Sequence, residues 1–166
     1  MSPRALPLLV VAAVLFPPGR AAAQAPARPI TFGVSAGAAG ADAGRGLGGH
    51  VGASAEVAVP RTRLAVRGDA AHTSWTRGGG RTGVTSATAS VVLPLGAGAV
   101  TPYLVAGGGA YASSGGGGVG AGVSGGAGVE GRLGGVRAFA EVRAHRYEVR
   151  GGGTRRMLPL AVGVRF

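Results

Sequence analysis

Glu141, Arg143 and His145 recur at every second position. In an extended chain side chains alternate between two faces, so all three point the same way. An acid, a guanidinium and an imidazole in one row can hold one another as ion pairs, line an ion path, or exchange protons in catalysis. Arg67 and Asp69 repeat the acid-with-arginine spacing, Glu130 and Arg132 repeat it again, and Glu56 and Arg137 fall on the same side of their own segments. Hydrolysis by a serine needs the hydroxyl within hydrogen-bond reach of its histidine base. The residue two after His145 is Tyr147, and no serine lies near it in the sequence. His50 and His72 stand alone near loops, with no two further ligands at zinc-site spacing. The chain has no cysteine, which removes disulfides, thiolate metal sites and thiol catalysis together. No metal or other cofactor is expected.

What must hold such rows is a set of strands. In the last ten residues, Leu158, Leu160, Val162, Val164 and Phe166 share one face, and Met157, Pro159, Ala161, Gly163 and Arg165 share the other. A strand with all its larger aliphatics on one face meets an apolar medium there. Seven further alternating segments precede it, separated by Gly- or Pro-containing breaks: 30–37, 50–59, 63–73, 83–93, 100–112, 119–133 and 136–149. Connections after odd strands read as long, at 38–49, 74–82, 113–118 and 150–155, and those after even strands as tight. Long loops on one side and short turns on the other are the habit of outer-membrane barrels. Tyr103 and Tyr111 share a face eight residues apart, and at ~3.3 Å per residue they span roughly the height of a bilayer's apolar band. They are therefore expected to mark its two interfaces. Pro159, which cannot donate to a ladder, is expected near the outer rim or at a bulge.

Glycine (35 residues) and proline (10) make up just over a quarter of the 166 residues. Disorder with that composition comes with low hydrophobicity, whereas 46% of this chain is hydrophobic. In a narrow barrel, glycine saves space. At the start, Met1 to Arg4 is basic, Ala5 to Phe16 is apolar, and Ala21-Ala22-Ala23-Gln24-Ala25 carries small residues at peptidase spacing. This is the pattern of a secretory signal peptide, 1–23, cleaved after Ala23. Twelve apolar residues interrupted by Pro7 are too few for a spanning helix, which needs ~20. The basic residues are all arginine. Losing Arg4 and Arg20 with the signal lowers the net charge from +11 to +9. The arginines are scattered one per strand or loop with no basic helix, so nucleic acid is not an expected partner.

The alternating ending on Phe166 resembles the C-terminal assembly signal of bacterial outer-membrane barrels. Together with Pro102-Tyr103 and the Gly-rich segment after it, Val129-Glu130-Gly131-Arg132-Leu133, Ala140-Glu141-Val142-Arg143 and Val162-Gly163-Val164-Arg165-Phe166, it makes residues 24–166 resemble the OmpA/OmpX-type eight-stranded outer-membrane barrel. The resemblance implies an all-β, antiparallel, up-and-down transmembrane barrel. It implies a monomer with both termini periplasmic, delivered to the barrel-assembly machinery through Leu158, Leu160, Val162, Val164 and Phe166. It also implies a lumen plugged by a structural charge network of Glu56, Arg67, Asp69, Glu130, Arg132, Arg137, Glu141 and Arg143. Arg63 and Arg165 fall on the same non-lipid face.

The expected role is structural or surface-interactive and not catalytic. Arg45, Arg77, Arg81, Arg150, Arg155 and Arg156 lie in or beside the outer loops, where they would meet lipopolysaccharide phosphates. Two other readings compete. Arg143 and His145 stand near where a lipid A deacylase barrel keeps an arginine and its histidine, but Tyr147 replaces the hydroxyl and the phase turns His145 inward. A secreted soluble carrier barrel would need a polar outer face, and here the outward row is the greasy one.

Overall fold

The computed structural model describes residues 30–41, 46–77, 80–114, 118–149 and 153–166. The signal peptide and its cleavage point lie outside these residues. Eight strands follow one another: β1 (Thr31–Ala41), β2 (Leu47–Ala58), β3 (Ala65–Arg77), β4 (Gly80–Pro94), β5 (Val100–Ser113), β6 (Val119–Leu133), β7 (Val136–Glu148) and β8 (Thr154–Arg165). Each pairs antiparallel with its sequence neighbours, and β1 pairs with β8, closing the ring. The fold is the all-β, eight-stranded, up-and-down barrel expected from the period-two pattern.

Alternation decides which face is which. In β8, Met157, Pro159, Ala161 and Arg165 are buried while Leu158, Leu160 and Val162 are 53%, 58% and 60% exposed. The same outward row continues through Phe32 and Val34 on β1, Val66 on β3, Val91 and Leu93 on β4, Leu104 on β5, and Val123 and Val129 on β6. A continuous aliphatic belt of this size is costly in water and suits hydrocarbon. The lumen face carries the charges, hydroxyls and rings.

Two expectations about connections need correction. The segment expected as a loop at 38–49 is mostly strand, since β1 runs to Ala41 and β2 starts at Leu47; the one at 74–82 shrinks to a hairpin between Arg77 and Gly80. The alternation of long loops and short turns therefore disappears. Backbone pairing needs no particular side chain, so Gly, Ala and Arg stretches extend the ladder once neighbours are in register. An equally short connection lies at the opposite end, where Gly134 and Gly135 join β6 to β7 and Gly134 adopts φ +61°. A positive φ at the first central position suits the right-handed strand twist and is tolerated by glycine without strain.

The place of Pro159 also needs correction. It lies buried within β8, opposite Ala39 of β1, with neither a rim nor a bulge at that point. Pairing of β7 with β8 stops after Val142 and Leu160 and resumes, in the same register, at His145 and Met157. The missing proline donor thus falls on the β7 side and removes rungs from one seam while the β1 seam stays continuous.

Large rings fill the lumen because glycines on neighbouring strands make room. Tyr103 lies directly across from Gly128, Tyr147 from Gly122 and Phe139 from Gly163. A Cβ added at Gly122 would come within 2.6 Å of both Tyr111 Cε2 and Tyr147 Cβ, and one at Gly163 within 2.7 Å of Phe139 Cε1. Those distances are below any real contact, so a side chain there and the ring opposite exclude each other.

Candidate functional site

At mid-height the lumen holds a closed ring of four charges contributed by β3 and β7, which stand on opposite sides of the barrel. Arg67 Nη2 donates to Glu141 Oε2 at 2.6 Å and its Nε pairs with Asp69 Oδ1 at 3.3 Å. Arg143 Nη1 donates to Asp69 Oδ2 at 3.0 Å, and its Nη2 pairs with Glu141 Oε1 at 2.8 Å. Each arginine therefore touches both acids and each acid both arginines. Arg67 is 1% exposed and Arg143 6%. Charges this deep persist only when paired and hydrogen-bonded, and the planar guanidinium fork suits two acceptors at once.

A second charged group lies toward the end that carries both chain termini. Glu130 accepts from Arg137 Nη1 at 2.9 Å and from Arg165 Nη1. Arg137 also donates to Thr31 Oγ1 at 3.1 Å. Arg165 packs its guanidinium over the Phe139 ring, 4.3 Å from the centroid, and over Tyr103 at 5.4 Å. Tyr103 Oη donates to Glu141 Oε2 at 2.9 Å, linking the two groups.

Toward the opposite end an apolar cap closes the lumen. Trp75, Val84, Tyr111, Tyr147 and Met157 pack with Ala39, all buried. Trp75 Nε1 donates to the Ala39 carbonyl at 3.1 Å, and Tyr111 stacks on Tyr147 with centroids 4.8 Å apart. Tyr111 Oη and His145 Nδ1 share a hydrogen bond at 2.9 Å, which ties the cap to the polar layer. His50 Nδ1 and Thr73 Oγ1 do likewise at 2.8 Å. The space remaining between cap and charges is about 50 Å³, lined by Ser35, His50, Ser54, Arg67, Asp69 and His145 among others. That holds a few waters and no solute.

Of the residues expected in the lumen network, Arg67, Asp69, Glu141 and Arg143 form the ring, and Glu130 and Arg137 form the second group. Glu56 points inward, and its buried Oε2 has no partner among the described residues. Arg132 does not join: it is exposed at the end of β6, beside the turn, where solvent reaches its head. Arg63 is exposed in the β2–β3 turn. Arg165 belongs to the network in its place.

The tyrosines correct the interface expectation. Tyr103 and Tyr111 are 3% and 2% exposed and face the lumen, so neither marks a membrane interface. Both faces of β5 read as apolar, which hides the phase. The usable signal was Gly107 and Gly109, which share the tyrosine face and leave room for rings, whereas Leu104 and Ala106 stand on the other.

Of the arginines assigned to the outer loops, Arg81 is exposed and donates to Ser74 Oγ at 3.1 Å. Arg155 is half-buried and Arg156 exposed on β8. Arg45 and Arg150 lie outside the described residues, as does the side chain of Arg77. His72 faces outward and shares a 3.0 Å hydrogen bond with Thr85 Oγ1. No group of three or more metal-capable side chains occurs among the described residues.

No protein-family model and no curated protein matches the chain. Solved structures do. The chain is similar to Neisserial surface protein A (NspA), with a TM-score of 0.72 and 20% identity over 83% of this chain and 96% of that one. It is similar to the outer membrane enzyme PagL, with a TM-score of 0.61 and 21% identity over 82% and 98%. It is also similar to the N-terminal β-barrel domain of Pseudomonas aeruginosa OprF, with a TM-score of 0.50 and 16% identity over 82% and 97%. These likenesses show the fold: the eight-stranded barrel of outer-membrane proteins, as the OmpA/OmpX-type resemblance implied.

Proposed function

We propose that the chain is a monomeric integral protein of the bacterial outer membrane with a structural or surface-interaction role. In this reading both termini are periplasmic, and assembly runs through the C-terminal strand face of Leu158, Leu160, Val162, Val164 and Phe166. The observation that carries the reading is the pairing of an aliphatic outer belt with a lumen that is filled from one end to the other. An outer face of Leu, Val and Phe supports lipid as the surroundings. A charge ring, an aromatic cap and about 50 Å³ of remaining space support a plug in place of a channel.

On the outward strand faces Arg81, Arg146 and Arg156 form a rim at the end opposite the chain termini, while Arg61, Arg63 and Arg132 are exposed in or beside the turns at the terminal end. An arginine rim suits the phosphate-bearing leaflet, so the role proposed for that rim is contact with lipopolysaccharide.

Acyl hydrolysis is the competing function. Its candidate base, His145, is 7% exposed, faces the lumen and is engaged by the Tyr111 hydroxyl, away from any lipid substrate. That geometry favours a structural histidine.

The test is refolding of residues 24–166 in detergent and electrophoresis with and without boiling, followed by conductance across planar bilayers. A mobility shift abolished by boiling, with no steady conductance, is the expected result. Solubility without detergent and no shift would return the chain to secreted soluble barrels. Release of fatty acid from lipopolysaccharide by the refolded barrel would replace this reading by the hydrolase.

A further inference from the structure

The outer wall of β6, β7, β8 and β1 is not smooth. Near the end opposite the termini it carries an open groove of about 590 Å³. Its floor follows one register row in which Gly125, Ala144 and Gly40 are small and Leu158 of β8 stands between Ala144 and Gly40, with Val123 the next outward residue on β6. The rungs missing between β7 and β8 at Pro159 run beneath it, so the floor is also where the wall is least tied. At its head stand Arg146 and Arg156, directly opposite each other across β7 and β8, both exposed and both outward.

A phosphate held between two guanidinium groups on facing strands accepts from both forks. Arg146 has no ion-pair partner among the described residues, and Glu148, one outward position further on, does not pair with it. Below the two arginines the groove is lined by aliphatic and small residues. The surface thus offers cationic forks at the level of lipid headgroups and an apolar channel leading toward the bilayer centre.

We propose that this groove is a binding site for one phosphorylated, multiply acylated lipid of the surrounding leaflet. Arg146 and Arg156 clamp its phosphate, and one acyl chain lies over Gly125 and Ala144, against Leu158. The proposal rests on the membrane reading above and gives it a specific place on the wall, separate from the loops.

The test uses the refolded mature chain in detergent micelles and bisphosphorylated hexa-acyl lipid A as probe, with binding read by native mass spectrometry. Arg146→Gln with Arg156→Gln is expected to weaken binding about tenfold and to leave binding of dephosphorylated lipid A unchanged. Gly125→Leu, at a position where an added Cβ meets nothing closer than 3.9 Å, is expected to keep the barrel and weaken both probes by filling the channel. Arg63→Gln, in the β2–β3 turn at the terminal end, is expected to leave both unchanged. Wild-type affinity in the double arginine variant, or equal loss for both probes, overturns the proposal. Each variant is checked for the heat-sensitive mobility shift. A wild-type chain that lacks the shift refutes the membrane reading itself, whereas a shifted chain with unaltered variants refutes this site alone.

Discussion

Phe166 and Phe32 exchange both of their backbone hydrogen bonds, at 2.9 and 3.1 Å, and so lock the last residue of the chain onto its first strand. Both rings face outward, half exposed. Removing Phe166 takes away the two bonds that finish the β1–β8 seam together with a large outward ring. Deletion of this one residue is expected to lower the fraction of refolded chain showing a heat-sensitive mobility shift, while Phe166→Tyr retains it. An unchanged folded fraction after deletion would show that the seam closes without its last pair.

The charge ring predicts an asymmetry between single and paired substitutions. Arg67→Met leaves Asp69 and Glu141 short of one cation in a buried layer and is expected to cost about 3 kcal/mol. Arg67→Met with Glu141→Leu removes one charge of each sign and is expected to recover most of that loss. Urea titration of the folded fraction in detergent compares them; equal destabilisation by both would mean that the ring is held by packing and not by pairing.

Glycines on the two faces are expected to behave oppositely. Gly163→Ala drives a Cβ into the Phe139 ring and the Val34 carbonyl and is expected to cost about 1–3 kcal/mol. Gly68→Ala points outward, where a Cβ meets nothing within 4 Å, and is expected to be neutral or to stabilise by up to about 1 kcal/mol. Thermal midpoints of the two variants decide the matter, and a tolerated Gly163→Ala would contradict the packing described for β8.

Hydrocarbon around the belt makes Leu160→Arg expensive, by about 2–4 kcal/mol near the bilayer midplane. Leu133→Arg, beside the Gly134-Gly135 turn, is expected to cost about 1 kcal/mol or less, because its charge reaches the interface. Refolding yields in vesicles test the difference, and equal yields would argue against a buried belt.

Pro159 predicts where backbone exchange is fastest. The amide of Arg143 faces the interrupted seam, and it is expected to exchange ahead of that of Phe139, whose register pair with β8 is intact. Pro159→Val restores a donor and is expected to slow exchange at that seam. Identical protection along β7 in both forms would mean that the rungs are replaced by another donor.

Most of the architecture could be read from the sequence, because period-two alternation is a direct consequence of strand geometry. Strand number, order and the inward or outward sense of β2, β3, β4, β7 and β8 follow from rows such as Arg67-Asp69 and Leu158-Leu160-Val162. What escaped were features set by neighbours and not by the strand itself. The ends of β1, β2 and β3 extend because partners in register continue the ladder through Gly and Ala. The sense of Tyr103 and Tyr111 depends on how β5 enters from β4, since both of its faces are apolar. Arg132 shares the phase of Glu130 yet sits too near a turn to be enclosed. The apolar cap, assembled from six strands, has no signature in any one of them.

The ring of Arg67, Asp69, Glu141 and Arg143 also constrains how the barrel can be made. Its members come from strands on opposite sides of the closed wall, 74 residues apart in the chain for Arg67–Glu141 and for Arg143–Asp69. A half-built sheet entering hydrocarbon would carry these groups on its concave side without their partners, at a cost that lipid cannot offset. Insertion and closure are therefore one kinetic event: the first strands wait at the interface, still hydrated, until β7 and β8 arrive, and the bilayer admits the chain only as a finished cylinder.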